Sequence, residues 1–264
     1  MDNVGNDGAL TRSAYGALDG PRELRGTFPP VPTTSTGHVL GIIVVNLAYP
    51  KLPGNVANAC TFRYPVLYAE VNFEIEQLFA GDPAIKQMVI DAARSLERQG
   101  VRAIIGACGF FAHFQRDVAA AVGVPVFMSS LCQLSVIKMG LRPEGKVAVF
   151  AADGASVDDK LLAQVGANSE RVVVQNVGDM DSFQAIRHSV LDLDNGRLAD
   201  DLAQLAVRLH EQDPAIEAIL LECSDLPPYS AAIQKASGLP VYDFITLANW
   251  VAASVTQRTY YGWF

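Results

Sequence analysis

The chain has 264 residues, 50% of them hydrophobic and 18% charged. This composition excludes a disordered protein and calls for a substantial core in one large or two modest domains. A net charge of −8 argues against nucleic acid as a main partner. No apolar run reaches the roughly 18 residues of a membrane span, so no membrane association is expected.

Residues 1–36 are rich in Asp, Gly, Pro, Ser and Thr and have no apolar centre. They read as an N-terminal extension, neither a signal peptide nor a clear transit helix. His38 to Asn46 is a continuous apolar, β-branched run, which predicts a buried parallel strand. The loop after it, Leu47 to Asn55, holds two prolines and a Gly-Asn pair. Loops leaving the carboxyl end of such a strand are where ligands bind in open α/β sheets, which makes Asn46 and Tyr49 candidate binding residues. A turn Asn and a packing Tyr are the plainer reading.

Thr61 to Phe73 alternates aromatic and β-branched residues and reads as a second strand. Arg63 within it is either a surface residue or a carboxylate clamp. Asp82 to Gln99 carries a helical stripe of Ile85, Met88, Val89, Ala92, Ala93 and Leu96, ended by Gly100. Val101 to Ala107 is the next strand, with Cys108 at its end and a helix running from Gly109 to about Ala121. His113 lies in that helix, as an ordinary helix residue or an aid to Cys108. Val124 to Met128 is a strand, and Ser129 and Ser130 suit a helix cap whose hydroxyls could also face a cleft.

Further strands are expected at 146–152, 171–177, 216–222 and 240–243, with helices from 157 to about 165 and over 181–190, 197–212 and 245–256. Another helix starts near Pro227, where the prolines fit its first turn. Strand–helix alternation throughout predicts an α/β fold with parallel sheets.

One unit occurs twice. An apolar strand ends in Cys108, and a helix-length segment leads to Gly123-Val124-Pro125-Val126-Phe127. A second strand ends in Cys223 and leads to Gly238-Leu239-Pro240-Val241-Tyr242. The offsets match, since 125 − 108 and 240 − 223 both equal 17. This predicts two pseudo-symmetric lobes with a cleft between them: residues 37–130 with 245–264, and residues 131–244. Helices after Phe127 and after Tyr242 would cross between the lobes.

Cys60, Cys108, Cys132 and Cys223 form no C-x-x-C pair and no zinc spacing, so no metal site is expected and a reducing, cytoplasmic setting is. Cys132 reads as core. Cys108 and Cys223 are either buried core cysteines or two thiols facing each other. A cysteine at a strand end before a helix lies near unpaired N–H groups, which lowers its pKa and favours thiolate. Two such thiols would supply a base on one face of a carbon and an acid on the other. That suits abstraction of a proton α to a carboxylate, with nearby amides holding the developing charge. There is no G-x-S-x-G elbow, P-loop or G-x-G-x-x-G motif.

At Gly106-Ala107-Cys108-Gly109 and Leu221-Glu222-Cys223-Ser224-Asp225 the chain resembles the aspartate/glutamate/hydantoin racemase superfamily, over most of its length from about residue 38. The resemblance implies two α/β lobes, a cofactor-independent site between them, and Cys108 and Cys223 as its two proton-transfer residues. Decarboxylases of that superfamily retain one cysteine, so both being present argues against that branch. Cys108-Gly109-Phe110, Pro125 to Leu131, and Leu220 to Cys223 with Leu226-Pro227-Pro228-Tyr229-Ser230 are similar to its algal dimethylsulfoniopropionate lyase branch. So are Tyr49-Pro50 and Pro53-Gly54. Where amino-acid racemases place Asn-Thr after the first cysteine, this chain has Gly109-Phe110. Phe110, Phe111 and Tyr49 suit a sulfonium through cation–π contact, or are core packing.

The expected activity is a cofactor-independent racemase or epimerase acting α to a carboxylate of a small amino-acid-like substrate. The alternatives are a dimethylsulfoniopropionate lyase and a small-carboxylate-binding protein of the same fold. The expected catalytic residues are Cys108 and Cys223, and the expected substrate-binding residues are Asn46, Tyr49, Gly109, Phe110, Ser129 and Ser224. The expected partners are a small carboxylate substrate and further copies of the chain in a homo-oligomer.

Overall fold

The computed structural model describes residues 33–188, 192–258 and 260. The proposed extension at 1–36 therefore lies largely outside the described residues, as does the end of the helix expected at 181–190.

Two four-stranded parallel sheets form the framework. The first contains β1 (Leu40–Val45), β2 (Val66–Val71), β3 (Ala103–Gly106) and β4 (Val126–Phe127) in the order β2-β1-β3-β4. The second contains β5 (Lys146–Ala151), β6 (Val172–Asn176), β7 (Ile216–Leu221) and β8 (Val241–Tyr242) in the order β6-β5-β7-β8. Each sheet has the same strand order, and the two cysteines follow equivalent strands, β3 and β7. The α/β fold with two similar lobes is thus present.

β1, β3, β5 and β7 are buried along most of their length, as expected of central strands covered on both faces. The helix Lys86–Arg98 seals one face of the first sheet with Val89, Ala92, Ala93 and Leu96. The other face is covered by the final helix, Phe244–Val255, through Phe244, Leu247, Ala248 and Val251 against Leu40, Ile42, Ala103 and Ile105. Asp243 caps that helix, accepting from the Ile245 and Thr246 amides at 2.8 Å each. One core cluster is continuous between the sheets, holding Ile43 and Ile104 of the first and Val147, Val149 and Leu220 of the second.

Several boundaries differ from the sequence expectation. The strand expected from Thr61 starts at Val66. A 3-10 turn at Ala59–Thr61 and the donor-less Pro65 precede it. The helix expected from Gly109 opens as a 3-10 segment, Gly109–Phe114, before the α-helix Gln115–Ala121. Two five-residue helices, Ile75–Phe79 and Gln184–His188, carry no periodic signal of useful length. Among the described residues, no helix is long and apolar enough to cross a membrane.

Candidate active site

Both cysteine loops open on one cavity of about 270 Å³ between the lobes. Cys108 and Cys223 both line it, one from each lobe. The loops are tied together: the Ser224 hydroxyl donates to the Ala107 carbonyl at 2.8 Å, joining the neighbours of the two cysteines. A second hydroxyl crosses nearby, from Ser130 to the Leu221 carbonyl at 2.9 Å.

The duplication extends to the amides. The Phe110 N–H serves the Cys108 sulfur and the Asp225 N–H serves the Cys223 sulfur, in each case two residues on. These donors favour thiolate, as the sequence predicts. Burial outweighs them. It pushes both thiols well above the ordinary range, aided at Cys108 chiefly by the Glu222 charge and at Cys223 by Asp225 and then Glu222. The expectation of a lowered pKa is therefore corrected: burial favours the thiol form of both residues.

Asp225 organises the Cys223 side. Its Oδ1 accepts from the Tyr49 hydroxyl at 2.7 Å and from the Asn55 amide, and Oδ2 accepts from the Cys223 thiol at 3.5 Å. Burial raises the Asp225 pKa, while these donors and Lys51 pull it down. Lys51 lies over the Tyr49 ring, 2.9 Å from its centroid, and burial lowers its pKa to about 8. The short helices bring Phe79 and Arg187 to the cavity. The Arg187 guanidinium sits 4.5 Å from the Phe79 ring centre and 3.8 Å from Glu76.

Glu222 is fully buried and lines the cavity, and neither of its carboxyl oxygens has a well-formed hydrogen bond among the described residues. Burial, with the Asp153 and Asp225 charges, lifts its pKa to about 8, and the Ala152 amide pulls the other way. It packs directly on Gly109, where a Cβ would overlap its carboxyl group.

Of the expected binding residues, Tyr49, Phe110 and Ser224 line the cavity, and Gly109 lies behind Glu222. Asn46 does not line it: its side chain is exposed and its amide extends the ladder to the Val71 carbonyl. Ser129 is fully buried as a cap, accepting from the Leu131 amide at 3.2 Å. Arg63 is exposed outside the cavity. His113 contacts the Phe79 carbonyl at 3.2 Å and supports that loop instead of Cys108. Phe111 is core, edge-on to Phe73. Sequence reasoning missed Lys51, Asn55, Arg187, Glu222 and Asp225. Asp225 and Glu222 lay in the quoted cysteine string and Lys51 and Asn55 in the flagged loop; Arg187 had no signal.

The model of the Asp/Glu/hydantoin racemase family matches residues 68–252. Dimethylsulfoniopropionate lyase 3 of Emiliania huxleyi (strain CCMP1516) is 36% identical over 237 residues, which is 84% of this chain and 61% of that protein. The dimethylsulfoniopropionate lyase of Durusdinium sp. clade D is 33% identical over 232 residues, 84% of this chain and 77% of that protein. The chain thus spans about three fifths of the length of the Emiliania relative. Among solved structures, allantoin racemase from Pseudomonas fluorescens superposes with a TM-score of 0.57 at 18% identity, covering 83% of this chain and 91% of that one. Unliganded arylmalonate decarboxylase gives a TM-score of 0.55 at 21% identity, covering 84% and 94%. These two share the fold, and the family match covers well over half of the chain: it belongs to the Asp/Glu/hydantoin racemase family.

Proposed function

We propose that this protein removes the proton α to a carboxylate with its cysteines, and that its substrate is a propionate bearing a sulfonium at the β carbon. The reaction is then the lyase reaction named for the algal relatives, giving acrylate and dimethyl sulfide. The observation that carries the proposal is the pair of cysteines from equivalent strands on one cavity, with two buried acids beside them.

A thiolate takes the α proton. The C–H electron pair forms the double bond, and the Cβ–S pair leaves with dimethyl sulfide. The leaving group departs neutral, so it needs no proton. The thiol later returns its proton to water. The Phe110 and Asp225 amides stabilise the thiolate form. Arg187 and Lys51 both line the cavity and suit the substrate carboxylate. The similarity to proteins named dimethylsulfoniopropionate lyases supports a sulfonium as the cation, and a cation beside thiols raised by burial and by acids eases their ionisation.

The second cysteine supports a racemase as the other reading, since a thiol on the opposite face could return a proton with inversion. Substrate incubated in deuterated water separates the two. A lyase releases dimethyl sulfide into the headspace, and a racemase returns α-deuterated substrate of inverted configuration. Neither outcome with a panel of small carboxylates would refute the α-proton proposal.

A further inference from the structure

Glu222 is a buried carboxyl group with no cationic partner, and neither of its oxygens has a well-formed hydrogen bond; the one donor that acts on it is the Ala152 amide. Such groups are costly and are normally paired. The fold makes room for this one: the first lobe presents Gly109, and a side chain there would overlap the Glu222 carboxyl. The charges acting on it, those of Asp153 and Asp225, are both negative. Neither Lys51 nor Arg187 is among the charges acting on it: Lys51 lies at the Tyr49 ring and acts on Asp225, and Arg187 lies at Phe79 and Glu76. Its position is also specific. It precedes Cys223 and packs on the residue that follows Cys108, so a group held there lies beside both cysteine loops.

We propose that Glu222 binds the cationic end of the substrate and selects onium-bearing carboxylates over uncharged ones of the same shape. This rests on the reading of the substrate as a β-onium propionate. Burial favours the protonated acid; a cation bound beside it draws it into its charged form, with the proton passing to water, and supplies the charge partner that the protein leaves out. The cation's field also offsets the negative charge that Glu222 imposes on Cys108. An ionised carboxylate against a desolvated cation is the strongest source of discrimination available in such a pocket.

The test uses two unreactive ligands, trimethylammoniopropionate and the isosteric acid with carbon in place of nitrogen. Calorimetry measures both on the wild type, Glu222→Gln and Glu222→Asp. The wild type is expected to prefer the cation by about tenfold or more. Glu222→Gln should lose that preference by weakening the cation alone, while Glu222→Asp, which keeps the charge, retains part of it. Preference unchanged in Glu222→Gln, equal weakening of both ligands, or no preference in the wild type would each overturn the assignment. If the wild type shows the preference but releases no dimethyl sulfide, the lyase reading falls and this assignment stands. If it releases dimethyl sulfide and Glu222→Gln keeps the preference, the lyase reading stands and the assignment falls.

Discussion

Replacing Glu222 by Gln keeps the shape of the side chain and removes its ionisation, which makes stability against pH a direct probe of the buried acid. The native pKa of about 8 lies above the ordinary 4.5. Between these values the native protein keeps a proton that the unfolded chain has released. The unfolded state therefore binds fewer protons, and stability falls as pH rises from about 4.5, levelling off above about 8. At roughly 1.4 kcal/mol per pH unit, that interval corresponds to about 5 kcal/mol, a large part of a typical domain's stability. The Glu222 charge also raises the Cys108 and Cys223 thiols, whose ionisation lies above this interval because burial raises both further. Urea unfolding of wild type and Glu222→Gln at several values between about pH 5 and about pH 8 should show the wild type losing ground steadily, by roughly 3–6 kcal/mol in all. A difference that stays constant with pH would mean that Glu222 has an ordinary pKa or a partner, and would refute the reasoning.

Three further outcomes are expected. Gly109→Ala should cost about 1–3 kcal/mol in chemical denaturation, because the new methyl displaces the Glu222 carboxyl, and the cost should shrink when Glu222→Ala is added. Asp225→Asn should lower the Cys223 pKa by removing the acid charge beside it, so peptide-level mass spectrometry should find faster alkylation of Cys223 at neutral pH; slower alkylation would contradict this. Ser224→Ala should cost about 1 kcal/mol through loss of the bond to the Ala107 carbonyl, read as a lower unfolding midpoint.

The fold was legible because the signals that carry it are local. Buried parallel strands read as apolar runs, and the repeated strand–cysteine–helix unit survives as the offset of 17 at Cys108 and Cys223. The two cysteines, Tyr49, Phe110 and Ser224 could be picked out because they sit at strand ends or just beyond them. The rest of the site is set by contacts between lobes. Arg187 arrives on a helix of five residues, too short for a periodic pattern. Glu222 reads as one polar residue at the end of an apolar strand, and only its approach to Gly109 from the other lobe shows that it is enclosed. The direction of the thiol pKa values was misjudged for the same reason. The helix-end amides are visible in sequence, whereas the burial that outweighs them is not. Asn46 and Ser129 met the strand-end and cap criteria yet serve a ladder and a cap.

The central claim is that Cys108 and Cys223 carry proton transfer at the carbon next to a carboxylate. Headspace dimethyl sulfide from dimethylsulfoniopropionate, measured for wild type, Cys108→Ser, Cys223→Ser and the double variant, tests it most directly, with circular dichroism to confirm folding. The wild type should release the sulfide, the variant lacking the base should fall by at least about 100-fold, and the double variant should match the uncatalysed rate. Release from a folded double variant at a rate near that of the wild type would contradict the account.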